Sequence, residues 1–299
     1  MEVQKTPRSF DRSRSLYERS VKDANLCRVF SIELDTSIEN LRAMVLDDQI
    51  DLLEAGTLIE TQGVSYVQAA MKQAAGSAFT DYNRVLSTAN FARERLIAPL
   101  LFSVGSEQLS SARRQVADGT EGISVDLIAS YLPMLDELRQ RGYHDQAQQV
   151  RGIIQENTVT ALLNSDQTST RLAVPASTYD DLFERTDVYF YRYSDRQRAG
   201  YRHQVSVKST RVQKAEQLAE YPDDIVIAAE EIGNLNLSVS RLLVKRNEGS
   251  PGLSDDEEAR LMRAKDMAVR IVTDRAKARD MDELPQVDNE FLTAQLTAA

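Results

Sequence analysis

The sequence has no tryptophan and very little cysteine or histidine. Its 299 residues include one cysteine, Cys27, and two histidines, His144 and His203. A single cysteine cannot form an intramolecular disulfide, which is typical of proteins from reducing compartments. These three residues are also too few for a zinc site built from four Cys and His ligands. A metal ion in this protein would therefore be held mainly by carboxylates.

Long apolar runs are also missing. No stretch approaches the roughly 20 apolar residues needed to cross a bilayer, so the sequence predicts no membrane partner. Residues 1–30 begin with an arginine-rich, apolar-poor stretch that contains no run typical of a secretory signal. We expect these residues to form a flexible N-terminal tail, and the protein to be soluble and cytoplasmic.

The charge is unevenly distributed. The net charge of −10 disfavours nonspecific attraction to nucleic acid or anionic membrane. Residues 185–214, the basic segment, reverse this balance with eight basic residues against two acidic ones. The segment predicts contact with nucleic acid or with acidic groups of the same protein. The candidate nucleic-acid contacts are Arg192, Arg196, Arg198, Arg202 and Arg211.

Helical spacing of apolar residues dominates both ends of the chain. It predicts an α-helical N-terminal domain over residues 31–165, which includes a helix at 36–60. The domain ends in a helical hairpin with Pro133 at the start of its first helix and its corner at Gly142. Residues 251–299 are predicted to form a C-terminal helical extension, and its main helix begins with a Ser254–Glu257 capping box.

A small α/β domain is predicted between these helical parts, over residues 172–250. After a polar linker near residue 165, its expected order is helix, strand, strand, helix, strand. The elements are a helix from Pro175, strands at 187–193 and 201–209, a helix from Thr210 and a strand at 224–229. The predicted fold class is therefore α+β and predominantly helical.

The two adjoining strands are predicted to form a hairpin. A turn centred between them pairs Tyr191 with Gln204 and Asp187 with Lys208. One sheet face is then nearly apolar and should pack on a helix, because it carries Val188, Phe190, His203, Val205 and Val207. The other face is polar and expected to be open to a ligand, since it carries Asp187, Tyr189, Tyr191, Gln204, Ser206 and Lys208.

The order of these elements, with Asp187 opening one strand and Lys208 closing the next, resembles the PD-(D/E)XK, or restriction-endonuclease-like, superfamily. The resemblance covers about residues 175–230. In that superfamily the Asp and an acid two residues before the Lys bind a divalent cation, while the Lys polarises the attacking water or the phosphate. It implies that Asp187 is a ligand of Mg²⁺ or Mn²⁺ and that Lys208 is catalytic.

The sequence departs from that pattern two residues before Lys208, where Ser206 replaces the acid. A serine hydroxyl is a weak neutral ligand, so Ser206 and Gln204 become auxiliary catalytic candidates. Glu184 is the candidate second metal ligand, with Asp180 and Asp181 as further acids within reach. The resemblance thus implies a metal-dependent phosphodiesterase core, active or degenerate, that acts on DNA or RNA.

Two alternatives remain open. Asp187 and Lys208 could be an exposed ion pair worth about 0–1 kcal/mol. The protein would then be a non-catalytic scaffold that binds a protein partner through its helical domain. Separately, Arg139–His144 and Arg198–His203 have the Arg-x4-His spacing that resembles HEPN-type ribonucleases. Neither pair is predicted to lie inside a helix, so we expect structural or surface histidines.

Overall fold

The computed structural model describes residues 98–102, 109–165, 170–176, 186–194, 196, 199–249 and 252–278. The predicted tail, the predicted helix at 36–60 and the end of the C-terminal extension lie outside these residues. So do Glu184, Arg198 and most of the predicted helix from Pro175. Within the described ranges the fold is α+β and mostly helical, as predicted.

Six helices and four strands make up the described part of the chain. In chain order they are α1 (Ala98–Phe102), α2 (Leu109–Gln140), α3 (His144–Asn164), β1 (Arg171–Pro175), β2 (Val188–Ser194), β3 (Ala199–Lys208), α4 (Arg211–Glu220), β4 (Ile225–Ala228), α5 (Ser238–Glu248) and α6 (Asp255–Lys277). None of the described helices is long and apolar enough to cross a membrane.

Helices α2 and α3 form the predicted helical hairpin. The corner is at Gly142, whose φ of 75° suits a residue without a Cβ. The expectation that Pro133 begins a new helix is wrong, because α2 runs continuously from Leu109 through Pro133. Burial of neighbouring Tyr131 and Leu135 in the core offsets the cost of a proline inside the helix.

The sheet has the order β1-β2-β3-β4. The first three strands are antiparallel neighbours, and β4 pairs parallel to β3 after the crossover through α4. Strand β1 was not predicted: residues 172–174 were assigned to no element, and Pro175 was expected to begin a helix. Its apolar run is short and ends in Pro175, which an edge strand tolerates. Helix α6 begins with the predicted Ser254–Glu257 capping box.

Helices cover both faces of the sheet. Val188, Phe190, Val205 and Val207 lie in the main core together with residues of α2, α3, α5 and α6, as predicted for the apolar face. Helices from the predicted N-terminal domain and strands of the predicted α/β domain therefore share one core. The opposite face is only partly open, because α1 packs on it over β2 and β3.

Candidate functional site

The β2–β3 hairpin positions the candidate site. Tyr191 pairs with Arg202 and Tyr189 with Gln204, so the predicted register is wrong by two residues. The turn is tighter than a centred turn would give, since Ser194 already pairs with Ala199. A shift of two residues keeps every side chain on its predicted face, because the side-chain period of a strand is two.

Asp187 lies immediately before β2 and completes the backbone ladder there. Its N–H donates to the Val205 carbonyl at 3.1 Å, and its carbonyl accepts the Ala176 N–H at 3.0 Å. Its carboxylate Oδ2 accepts the Val207 N–H. The side chain is only 9% exposed. The carboxylate therefore satisfies a strand N–H at the point where β2 begins, which is a structural role.

Lys208 is the last residue of β3 and lies beside this carboxylate. Its Nζ is 4.0 Å from Asp187 Oδ2, and its side chain is 33% exposed. The structure therefore brings together the amine and the carboxylate that the sequence singled out, on adjoining strands. The lysine is the more accessible of the two groups, so an incoming anion would meet Lys208 first.

Ser206 and Gln204 share this face of β3 but differ in exposure. Gln204 is exposed, whereas Ser206 is 5% exposed. Ser206 Oγ accepts from Nε2 of Gln217 on α4 at 3.1 Å, and the same nitrogen lies 2.6 Å from Asp224 Oδ2. Gln217 and Asp224 were not among the site residues predicted from the sequence. No local signal marked them, because α4 carries Val212, Ala215 and Leu218 at helical spacing and yet none of its residues is fully buried.

The tyrosines of this face are less accessible than predicted. Tyr189 and Tyr191 are 2% and 0% exposed, since both pack in the cluster that includes Leu101 and Phe102 of α1. The expectation of a polar face open along its whole length is therefore wrong. What stays accessible on this face of β3 is the row formed by Arg202, Gln204 and Lys208, which we call the β3 row.

The basic segment divides between the interior and the surface. Arg192 is 9% exposed, and its Nε lies 3.2 Å from His203 Nε2. Its guanidinium also lies 4.6 Å from the Tyr201 ring centroid, on the sheet face opposite to the β3 row. Lys214 pairs with Glu231 at 2.8 Å. Intramolecular contacts thus account for part of the local positive charge.

Other basic side chains of the segment face outward. Arg196 and Arg211 are exposed. Arg202 is half-buried, with its guanidinium 5.3 Å from the Tyr189 ring centroid. Of the two histidines, His203 is buried in the sheet and His144 is exposed at the start of α3.

The described side chains do not fit a divalent cation. No group of three or more His, Cys, Asp or Glu residues that could hold a metal occurs in the described part of the chain. Asp187 already accepts a backbone N–H and faces Lys208. Mg²⁺ and Mn²⁺ require several oxygen ligands. Glu184, the predicted second ligand, lies outside the described residues, as do Asp180 and Asp181.

Comparison with known proteins adds no relative: no protein-family model, curated protein or solved structure matches this chain. The resemblance to the PD-(D/E)XK superfamily therefore remains a prediction from the sequence, based on the order of the elements and on Asp187 and Lys208. Function has to be inferred from the geometry of the β3 row and its neighbours.

Proposed function

We propose that residues 172–250 form a nuclease-like unit that binds the phosphate backbone of DNA or RNA without metal-dependent cleavage. One observation carries the proposal. Lys208 lies beside Asp187 on adjoining strands, and Ser206 stands where a metal-dependent site would need its second acid. Lys208 is thus available to a phosphate, whereas the described residues contain no group of three or more His, Cys, Asp or Glu side chains that could hold a metal.

The β3 row has the spacing of a backbone-binding surface. Its members lie at alternating positions of one strand, so they project from one face. At about 3.3 Å per residue, Arg202 and Lys208 are roughly 20 Å apart along β3. That length corresponds to about six nucleotides at a rise of about 3.4 Å per nucleotide. Arg211, exposed at the start of α4, extends the row by a further cation.

Hydrogen bonding at the metal position supports binding without catalysis. Asp187 Oδ2 is engaged by the Val207 N–H, and Ser206 Oγ by Gln217. A cation would have to compete with both contacts and with the charge of Lys208. A phosphate oxygen, by contrast, can contact Lys208 and the Gln204 amide without displacing either hydrogen bond.

The protein's net charge sets the expected strength of binding. With −10 overall, long-range attraction to nucleic acid is absent, so affinity depends on the few cations of the row. Phosphate contacts of this kind carry no base information. We therefore expect modest, salt-sensitive binding with little sequence preference.

The test combines a binding assay with a cleavage assay on the whole chain. A labelled single-stranded oligonucleotide, as DNA and as RNA, is titrated with protein at about 50 mM salt in EDTA and again with Mn²⁺. We expect binding in EDTA and an intact strand in Mn²⁺, and we expect Lys208→Ala to weaken binding severalfold.

Two outcomes would overturn the proposal. Mn²⁺-dependent cleavage that disappears in Lys208→Ala would mean an active nuclease whose second metal ligand comes from outside the described residues. Absence of binding to either nucleic acid at low salt would remove the phosphate-binding function and leave the helical scaffold as the better account.

A further inference from the structure

A second polar cluster lies behind the sheet, on helix α3. Arg151, Gln155 and Thr158 are spaced i, i+4 and i+7, so they share one side of the helix. Ser209 Oγ donates to Gln155 Oε1 at 2.7 Å, and Arg151 Nη2 donates to the Leu235 carbonyl. We call Arg151 and Gln155 the α3 pair.

The α3 pair faces the edge at which two parallel strands end. Ser209 directly follows β3, and Leu235 lies in the turns after β4. Strands β3 and β4 are parallel neighbours, so their carboxyl ends meet at this edge. Crevices outside the carboxyl ends of parallel strands are the usual place for ligands in α/β sheets.

Each member of the α3 pair has a buried donor without an acceptor. Arg151 Nε and Gln155 Nε2 form no hydrogen bond, and Gln155 is only 2% exposed. Nearly all buried polar atoms in folded proteins are hydrogen-bonded, so adjacent exceptions require an explanation. Since the two residues are one helical turn apart, their free donors can serve one ligand.

The electrostatics of Arg151 favour an anion. Burial, and then the nearby charge of Arg139, lower the pKa of the Arg151 guanidinium. Both effects disfavour the positive charge, and no described carboxylate compensates them. A partly buried guanidinium with a like-charged neighbour is stabilised by a bound negative ion.

We propose that the α3 pair binds a small free oxyanion such as inorganic phosphate. The ion lies at the sheet edge where the carboxyl ends of β3 and β4 meet. Arg151 Nε and Gln155 Nε2 donate to two of its oxygens. Because Gln155 is only 2% exposed, a polymer backbone could not reach its amide, so the ligand must be small. The site is therefore separate from the β3 row, and it does not depend on nucleic-acid binding.

Thermal unfolding of the whole chain tests this site. Inorganic phosphate is varied up to about 10 mM at constant pH and ionic strength, a range in which general salting-out effects are small. Selective binding to the folded state raises the midpoint, and above the dissociation constant the rise continues with the logarithm of the phosphate concentration. We expect that rise in the native sequence and its loss in Arg151→Met.

Arg141→Met is the matched control, because Arg141 is an exposed arginine of the same helical hairpin, paired with Glu137. It should keep the full phosphate response. A midpoint independent of phosphate in the native sequence would overturn the site, as would an undiminished response in Arg151→Met.

Gln155→Glu keeps the site testable if Arg151→Met does not fold. The variant places a carboxylate one helical turn from Arg151, where the ligand oxygen would lie. We expect a higher midpoint than the native sequence in phosphate-free buffer and no further rise with phosphate. A lower midpoint together with a preserved phosphate response would contradict the proposed site.

Discussion

Replacing Tyr191 with alanine is expected to lower the free energy of unfolding by about 3–5 kcal/mol, the usual cost of removing a fully buried aromatic ring. Tyr191 is 0% exposed, and its ring centroid lies 6.1 Å from that of Phe102 on α1. The loss of stability has two contributions: less apolar area is buried on folding, and a cavity is left between α1 and β2. Chemical denaturation followed by circular dichroism measures it.

Tyr193 provides the control for this prediction. It is on the same strand face, two residues further along, but is only partly buried at the margin of the same cluster. Tyr193→Ala should cost less than half as much. Equal losses in the two variants would mean that α1 does not cover Tyr191 selectively, and the tyrosine face would be open as the sequence alone suggested.

Replacing Asp187 with alanine is expected to cost about 2–3 kcal/mol. The change leaves the Val207 N–H without its acceptor in a site that is 9% exposed, and such an orphaned group costs about 1–3 kcal/mol. Loss of the contact with Lys208 adds a smaller amount. Asp187→Asn keeps an oxygen that can accept the N–H, so we expect it to cost about 1 kcal/mol or less.

The same two variants separate a structural aspartate from a metal ligand. Asp187→Asn removes the negative charge beside Lys208, so we expect it to bind nucleic acid about two- to threefold more tightly than the native sequence. If Asp187 instead held a metal that binds the phosphate, Asp187→Asn would lose binding. Destabilisation of the Asn variant as large as that of the Ala variant would contradict the backbone-acceptor role.

Local signals in the sequence were sufficient for several elements of the fold. The capping residues Thr210 and Ser254 marked the starts of α4 and α6, and the apolar run at 224–229 marked β4. β1 escaped detection because five residues ending in proline carry a weak strand signal. α5 was missed as well; its N-cap residue is Leu237, which makes no side-chain cap.

Long-range packing explains what the sequence did not predict about the site. Asp187, Ser206 and Lys208 were assigned to one face correctly, since a register error of two residues leaves the faces unchanged. Helix α1 covers Tyr191, and Gln217 donates to Ser206. Both contacts depend on how separate segments of the chain pack together. No local pattern encodes those contacts.

The net charge of the basic segment did not predict how each of its charges is used. The basic segment has an excess of positive charge, but its three-dimensional packing determines which of the cations are paired within the protein and which are accessible. Arg192 stacks on Tyr201 inside the sheet, and Lys214 pairs with Glu231 from a distant turn. Among the described residues of the segment, the cations that remain accessible to the proposed interface are Arg196, Arg202, Lys208 and Arg211.

The salt dependence of single-stranded DNA binding tests the β3 row most directly, with Lys208→Gln and Lys245→Gln compared with the native sequence. The two lysines are matched, at 33% and 35% side-chain exposure, and each is paired with one acid. We predict that Lys208→Gln reduces the slope of log affinity against log salt by about 0.7, one phosphate contact, while Lys245→Gln leaves it unchanged. If the slope for Lys208→Gln equals that of the native sequence, the assignment of this strand face to phosphate binding is contradicted.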